Sequence, residues 1–522
     1  MQVVDTWTGR HANALRRALR LTNEGLAEEL GTAVRTVAKW NADPELVPVP
    51  EMQRALDTML NQSSEDARTR FALLLGADLP PASAPAVDVA AAELVRDGSD
   101  AARALAWVDQ AAGWEPGTAA ALLPSRALRT DRLRVQQLAE ARAGVGRHQV
   151  ADVLAGYYGT HDGHAPYVGR CAGHRLSTSV LTRPSWLDLR LPLGAGREHL
   201  RYAGQSAEPV RIDRAGALAA VDRIAVGLQA NLRMVNAPIY RLTDFDVSAE
   251  GIAGSVGLAG FFDYALTLDL LESELGDALA AGLPAEPGQL PLRDRYLPDL
   301  AAVLDVGARM CAGGPPALTA IARPTSRTRS RPDFLLLVQE RSGRVLNAAR
   351  RLAVIPKSFH GPLVDYTEDA QVYRSVEREM EEELLGREDV DSVLGDSRQA
   401  DPMHRSRLSA PMGWLTDHLD DDSWRMESTG FGFNLLTGNY EFASLIVIHD
   451  DTWWDVYGGH IEANWESSGL RRYSTLDRDS ITALVLDPAW SNEGLFALLQ
   501  GLRRLAEIGG DRTDVPDIDW GD

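Results

Sequence analysis

Three carboxylates, Glu379, Glu382 and Glu383, stand three and four residues apart in REMEEELLG, so one side of a helix can gather all of them. Carboxylates that close repel one another unless water screens them or a divalent cation such as Mg²⁺ sits among their oxygens. Metal-assisted chemistry is therefore one reading of the stretch, and a solvated acidic helix is the other. A different surface lies near the start of the chain. In LGTAVRTVAKWN, Val37 points back at the preceding helix and leaves Val34, Arg35, Thr36 and Lys39 outside, a side suited to DNA. Between these two stretches, HDGH and CAGH supply His161, His164, Cys171 and His174, which are zinc-type ligands. The loop between the two pairs is shorter than structural zinc motifs use, so a polar loop is the expectation there.

Each set needs elements to position it. A first helix is expected to end near Leu21. Thr22 can cap a second helix with Leu26, Ala27 and Leu30 on its apolar face, and Gly31 stops that helix before a third from Val34 to Trp40. PEMQRALDTML reads as a fourth. Late in the chain, DFLLLVQERSGRVLNAARRLAVIP reads as strand, tight turn at Ser342–Gly343 and strand, and SFHGPLVDY as an irregular loop. A helix from Glu368 to Leu385 then carries Val372, Val376, Met380 and Leu384 along one line and ends at Gly386. GFGFNLLTGNYEFASLIVIHDDTWWDVYGGHIEANWE supplies two strands, and ITALVLDPAWSNEGLFALLQGLRRLAEIG a strand and a long closing helix.

The first of these stretches resembles the Cro/repressor-like (XRE-type) helix-turn-helix family over roughly the first sixty to seventy-five residues. That resemblance implies that Ala33, Val34, Arg35, Thr36 and Lys39 contact bases and phosphates of double-stranded DNA. REMEEELLG resembles the catalytic half of a Nudix box, with Arg378–Glu379 as its RE pair and Glu382–Glu383 as its EE pair. The likeness implies that Glu379, Glu382 and Glu383 hold Mg²⁺ against a nucleotide-type diphosphate. Gly361 lies further upstream than the box places it, and no glutamate stands at the box's distance before Arg378. A domain that binds such a ligand without turning it over is therefore expected.

Composition frames these assignments. A chain of 522 residues exceeds one core, and 45% hydrophobic with 24% charged residues is a globular balance. No apolar run is long enough to span a bilayer and no signal peptide is apparent, so a cytoplasmic location is expected. Cys171 and Cys311 cannot make a disulfide framework. A net charge of −21 repels phosphates at long range, so DNA contact must be local. Arg16, Arg17, Arg20, Arg35 and Lys39 supply a basic set near Glu24, Glu28 and Glu29, and a homodimer on paired half-sites is expected.

The fold class expected is multidomain: an all-α helix-turn-helix domain over 1–75, a linker over 76–88, a helical spacer or dimerisation region over 89–160, an α+β middle region over 161–325, a C-terminal α/β/α Nudix-like domain over 326–510 and an acidic tail over 511–522. Within it, Glu272 and Glu274 read as a solvated helix face, and Trp186 and Tyr264 as core. Trp453, Trp454, Tyr457 and Trp465 can stack on a base or fill a core, and core filling is the expectation. The function expected is a DNA-binding transcriptional regulator that senses a nucleotide-type ligand. The alternatives are a Mg²⁺-dependent nucleoside diphosphate hydrolase with an accessory helix-turn-helix, and a protein-interaction scaffold.

Overall fold

A computed structural model describes residues 7–19, 21–44, 46–63, 71, 99–129, 132–194, 196–205, 210–230, 232, 234–341, 351–385, 403–419, 421–461 and 467–520. The chain divides into two compact units, Met1–Ala90 and Ala91–Asp522. The linker expected over 76–88, the turn at Ser342–Gly343, Gly386 and Trp465 lie outside the described residues.

In the first unit, α1 (Gly9–Ala18), α2 (Asn23–Glu29), α3 (Val34–Ala42) and α4 (Pro50–Gln62) enclose a core of Trp7, Leu15, Leu26, Leu30, Val37, Trp40, Leu56 and Leu60. Local chemistry sets the ends of α2. The Thr22 hydroxyl accepts the Gly25 N–H at 3.1 Å. Gly31 takes φ +62°, a left-handed conformation that costs glycine little, and the Thr32 N–H returns to the Ala27 carbonyl at 2.8 Å. α3 then crosses so that Val37 and Trp40 are buried. Gly9 allows α1 to approach this helix, since a Cβ there would lie 2.4 Å from the Trp40 carbonyl oxygen.

The second unit is built on a large mixed sheet. Its strands in chain order are β1 (Ala165–Cys171), β2 (His174–Thr182) and β3 (Leu187–Pro192), followed by β4 (Glu198–Gln205), β5 (Pro238–Ser248) and β6 (Gly251–Gly260), which form a separate three-stranded sheet. The chain returns with β7 (Gly313–Gly314), β8 (Ala317–Arg323), β9 (Asp333–Arg341), β10 (Leu352–Val354), β11 (Trp424–Asn434), β12 (Asn439–Ile448), β13 (Ser467–Ser474) and β14 (Ile518–Trp520). The main path runs β10-β9-β8-β12-β11-β2-β1-β14, with β13 on β9, β3 on β11 and β7 on β12. β8 and β7 run parallel to β12, and the other pairs in this sheet are antiparallel.

Both faces of the sheet centre are covered, which is why its strands read as apolar runs without alternation. Phe334, Leu336 and Val338 of β9 and Ala443, Leu445 and Val447 of β12 meet the closing helix Asn492–Ile508. Leu335, Leu337, Phe442, Ile446 and Ile448 face the other way, into the core that holds Val372, Val376, Met380 and Leu384. Trp186, Tyr264 and Trp453 are buried there as expected.

Several expectations change. The boundary expected at 325 falls between β8 and β9, which pair, and strands from before residue 200 lie beside β11. The helices expected as a spacer pack onto this same unit, with Ala104, Leu105 and Val108 against Ala217, Val221 and Ile224. The expected acidic tail includes β14, which pairs with β1. ITALVL is helical within Arg478–Leu486, because Asp477 caps the Ser480 N–H at 3.0 Å and Ile481, Leu484 and Val485 fall on one buried face. Cys171 and Cys311 are buried free thiols.

Gly313 and Gly314 let the loop after β10 close over β12. A Cβ on Gly314 would lie 1.9 Å from the Ser358 carbonyl oxygen, and one on Gly313 2.0 Å from that of Tyr440. Gly314→Ala is expected to cost about 1–3 kcal/mol, read as a lower urea midpoint with an unchanged m-value.

Candidate functional site

A cavity of about 660 Å³ opens in the second unit beneath the closed loop. Its apolar wall comes from Val135, Leu138, Val150, Val226, Phe261 and Phe359. Its floor is charged, and the charge is ordered by neighbouring backbone. The helix Asn492–Ile508 begins at the cavity with Ser491 as its cap, accepting the Gly494 N–H at 3.2 Å, and presents Asn492 and Glu493. Glu493 pairs with the Lys357 ammonium and accepts from Asn434 Nδ2 at 3.3 Å. Burial pushes Glu493 up, but the Lys357 charge and hydrogen bond overcome it and hold its carboxyl below the usual range.

Beside this pair the carboxyls behave in the opposite way. Glu441, 5% exposed at the start of β12, is pushed well above its ordinary value by burial and then by the Glu493 charge. Glu272, on the helix Leu270–Ala280, is pushed up to about 7 by burial and then by Asp269 and Glu493. Among the described residues neither side chain has a hydrogen-bond partner, and both line the cavity. Asp269 is raised by burial, partly offset by the Arg223 guanidinium bound to it at 2.5 Å. Asn439 Oδ1 and Asn492 Oδ1, on side chains 8% and 6% exposed, also line this floor without a partner. Buried polar atoms left this way mark a place where a ligand or water completes the bonding.

The acidic helix reaches the same cavity, but not as its spacing suggested. The α-helix Val372–Glu379 widens into a π-helical turn over Met380–Leu384. Glu379 and Glu382 line the cavity, with Glu379 3.3 Å from the Arg378 guanidinium. Glu381 turns away to accept the Ser409 N–H and hydroxyl, each at 2.7 Å. Glu383 turns underneath, where it accepts the Lys357 backbone N–H at 2.7 Å and Gln339 Nε2 at 3.4 Å. The expected convergence of three carboxylates is therefore reduced to two at the cavity, because the wider turn and the Lys357 N–H redirect the third. Among the described residues no group of three His, Cys, Asp or Glu side chains is arranged to hold a metal ion.

The remaining residues singled out in the sequence fall as follows. Ala33, the cap of α3, and Val34, Arg35 and Lys39 on it are exposed, and Thr36 is half-buried. Arg16 is held by the Leu21 carbonyl and Asn13, each at 2.9 Å, and Arg20 lies outside the described residues. His161 and His164 stand at one end of β1 and Cys171 and His174 at the other, so they make no common site. Glu274 accepts the Leu292 and Arg293 N–H groups at 2.7 and 2.9 Å instead of facing solvent.

Sequence reasoning missed Lys357, Asp269, Glu441 and Glu493 and expected Glu272 on a solvated face, whereas the tertiary structure brings all five to the cavity region. One signal was present: Glu441 is the lone charge in NYEFASLIVI, and a carboxylate in a doubly buried strand is rare without a reason. No protein-family model matches the chain, and no curated protein matches it.

Glu272 gives a pH test. Its folded value of about 7 lies above the ordinary 4.5, so the folded state holds the extra proton and stability contributed by this group falls as pH rises between those values. Glu272→Gln removes that slope. The variant's melting temperature relative to wild type is expected to rise by about 2 °C or more between about pH 5 and about pH 8.

Proposed function

We propose that the protein is a DNA-binding transcriptional regulator, acting in the cytoplasm as a homodimer, whose first unit reads double-stranded DNA and whose second unit senses a nucleotide-type small molecule. The observation that carries the DNA reading is the division of α3. Val37 and Trp40 are buried, while Val34 is 42% exposed and Ala33, Arg35 and Lys39 are exposed beside it. A buried seam opposite an exposed row with two cations is what a recognition helix in a helix-turn-helix needs. Ala33 caps α3 with no side-chain bond, which leaves first-turn N–H groups for a phosphate.

The sensing half rests on the cavity, whose apolar wall and charged floor suit a ligand with a flat apolar part and polar substituents. Such a ligand shifts DNA affinity only through a preference for one of two states of the protein, and the coupling is reciprocal. Glu379 and Glu382 at the cavity favour one second reading, a Mg²⁺-dependent hydrolase of nucleoside diphosphates. In that reading these two residues would hold the ion that polarises the phosphate.

Footprinting with the full chain at low salt is expected to reveal a protected sequence. At that site Arg35→Ala is expected to cost about 1–3 kcal/mol, and Lys39→Ala to weaken binding across sequences while flattening the salt dependence. No protected sequence at low salt would overturn the DNA reading. In the same preparation, Mg²⁺-dependent phosphate release from a nucleoside diphosphate would replace the sensor by the hydrolase.

A further inference from the structure

The same cavity is also lined by cations away from the Lys357–Glu493 pair in the sequence. Arg147 opens the helix Arg147–Tyr158, and its side chain is 8% exposed. One guanidinium nitrogen donates to the Ser177 carbonyl, but Nε has no partner. Arg351 lies close enough for its charge, after burial, to depress the Arg147 value, and Arg351 donates to the Val145 carbonyl at 2.9 Å, the residue just before the helix cap. Arg341, 7% exposed, is tied to Arg351 by a backbone bond of 3.0 Å. All three line the cavity.

Carbonyl oxygens satisfy N–H groups without cancelling a full charge, so the carbonyl bonds to Arg147 and Arg351 leave the repulsion between them in place. Neither has a carboxylate at ion-pair distance among the described residues. Asp152, the acid in the field of Arg147 among the described residues, is exposed and lies 3.9 Å from Arg175. The helix adds to the same sign. Its cap is Gly146, which offers no side-chain acceptor, and its first turn holds no acid. The Nε of Arg147 is thus a buried, unpartnered donor on a cavity wall, beside a second guanidinium and a helix start that all favour an anion.

We propose that an anionic phosphate group of the cavity's ligand binds on Arg147 and Arg351 without a metal ion. This rests on the sensor reading for its ligand and differs from the hydrolase reading in placing the phosphate on the arginines instead of on an ion held by Glu379 and Glu382. A planar guanidinium fork matches the phosphate oxygens and keeps its charge when buried.

The test is calorimetry on the full chain in EDTA, titrating inorganic phosphate and, separately, 5′-AMP to about 10 mM. Saturable binding is expected, at least about tenfold weaker in Arg351→Met and in Arg147→Met, and within about twofold of wild type in Arg103→Gln, an exposed charge outside the cavity. Tighter binding of 5′-AMP than of phosphate would identify the group as part of a nucleotide, and equal binding would identify free phosphate. If Arg147→Met fails to fold, as its melting temperature will show, Arg351→Met carries the comparison. The proposal is overturned if neither probe saturates, if Arg351→Met binds phosphate like wild type, or if binding appears only when Mg²⁺ is added. That last result would leave the sensor reading standing, whereas phosphate binding with no DNA protection would sink the regulator and leave this inference intact.

Discussion

A lysine ammonium cannot stay charged away from water without a partner, and the structure of the second unit turns on how Lys357 is held. Its side chain, 13% exposed, pairs with Glu493, which is 7% exposed. Its backbone N–H donates to Glu383. Glu493 also accepts from Asn434, whose own carbonyl accepts from Ser179. One chain of bonds therefore ties the loop after β10, the π-helical turn, the closing helix and the ends of β11 and β2. Networks of this kind are strong when every member is satisfied and costly when one is removed. The cavity floor is what remains around it: Glu441, Glu272 and two asparagine oxygens that the network does not use.

How much of this was legible depends on distance along the chain. The first unit is organised by neighbours, and Thr22, Gly31 and Val37 each announce their role within a few residues of where they act. The hairpin of β11 and β12 is equally local. The rest of the sheet is not. Leu181 pairs with Phe433 and Leu191 with Ser428, and no periodicity in either segment names the other. A strand buried on both faces loses the alternation that reveals its register, which is also why ITALVL, an apolar run of similar look, reads as a strand although Asp477 caps it as a helix.

The acidic helix shows the same limit at the scale of one turn. Spacing placed Glu379, Glu382 and Glu383 on one side of an α-helix, but the π-helical turn and the waiting N–H of Lys357 send Glu383 elsewhere. Glu381, which the spacing left aside, becomes the cap partner of Ser409. Carboxylates in a buried helix are claimed by whichever donors the tertiary structure brings, and sequence spacing gives only the set from which the choice is made.

Acidic and basic side chains lining one cavity are hard to account for as scaffolding, since apolar side chains of similar size would fill the space at lower electrostatic cost. The proposed small polar ligand would account for them. Native mass spectrometry of the gently ionised full chain tests this most directly. The account predicts a discrete small-molecule adduct that collisional activation releases as an anion. Only the bare chain mass, from protein freshly isolated and never dialysed, would contradict it.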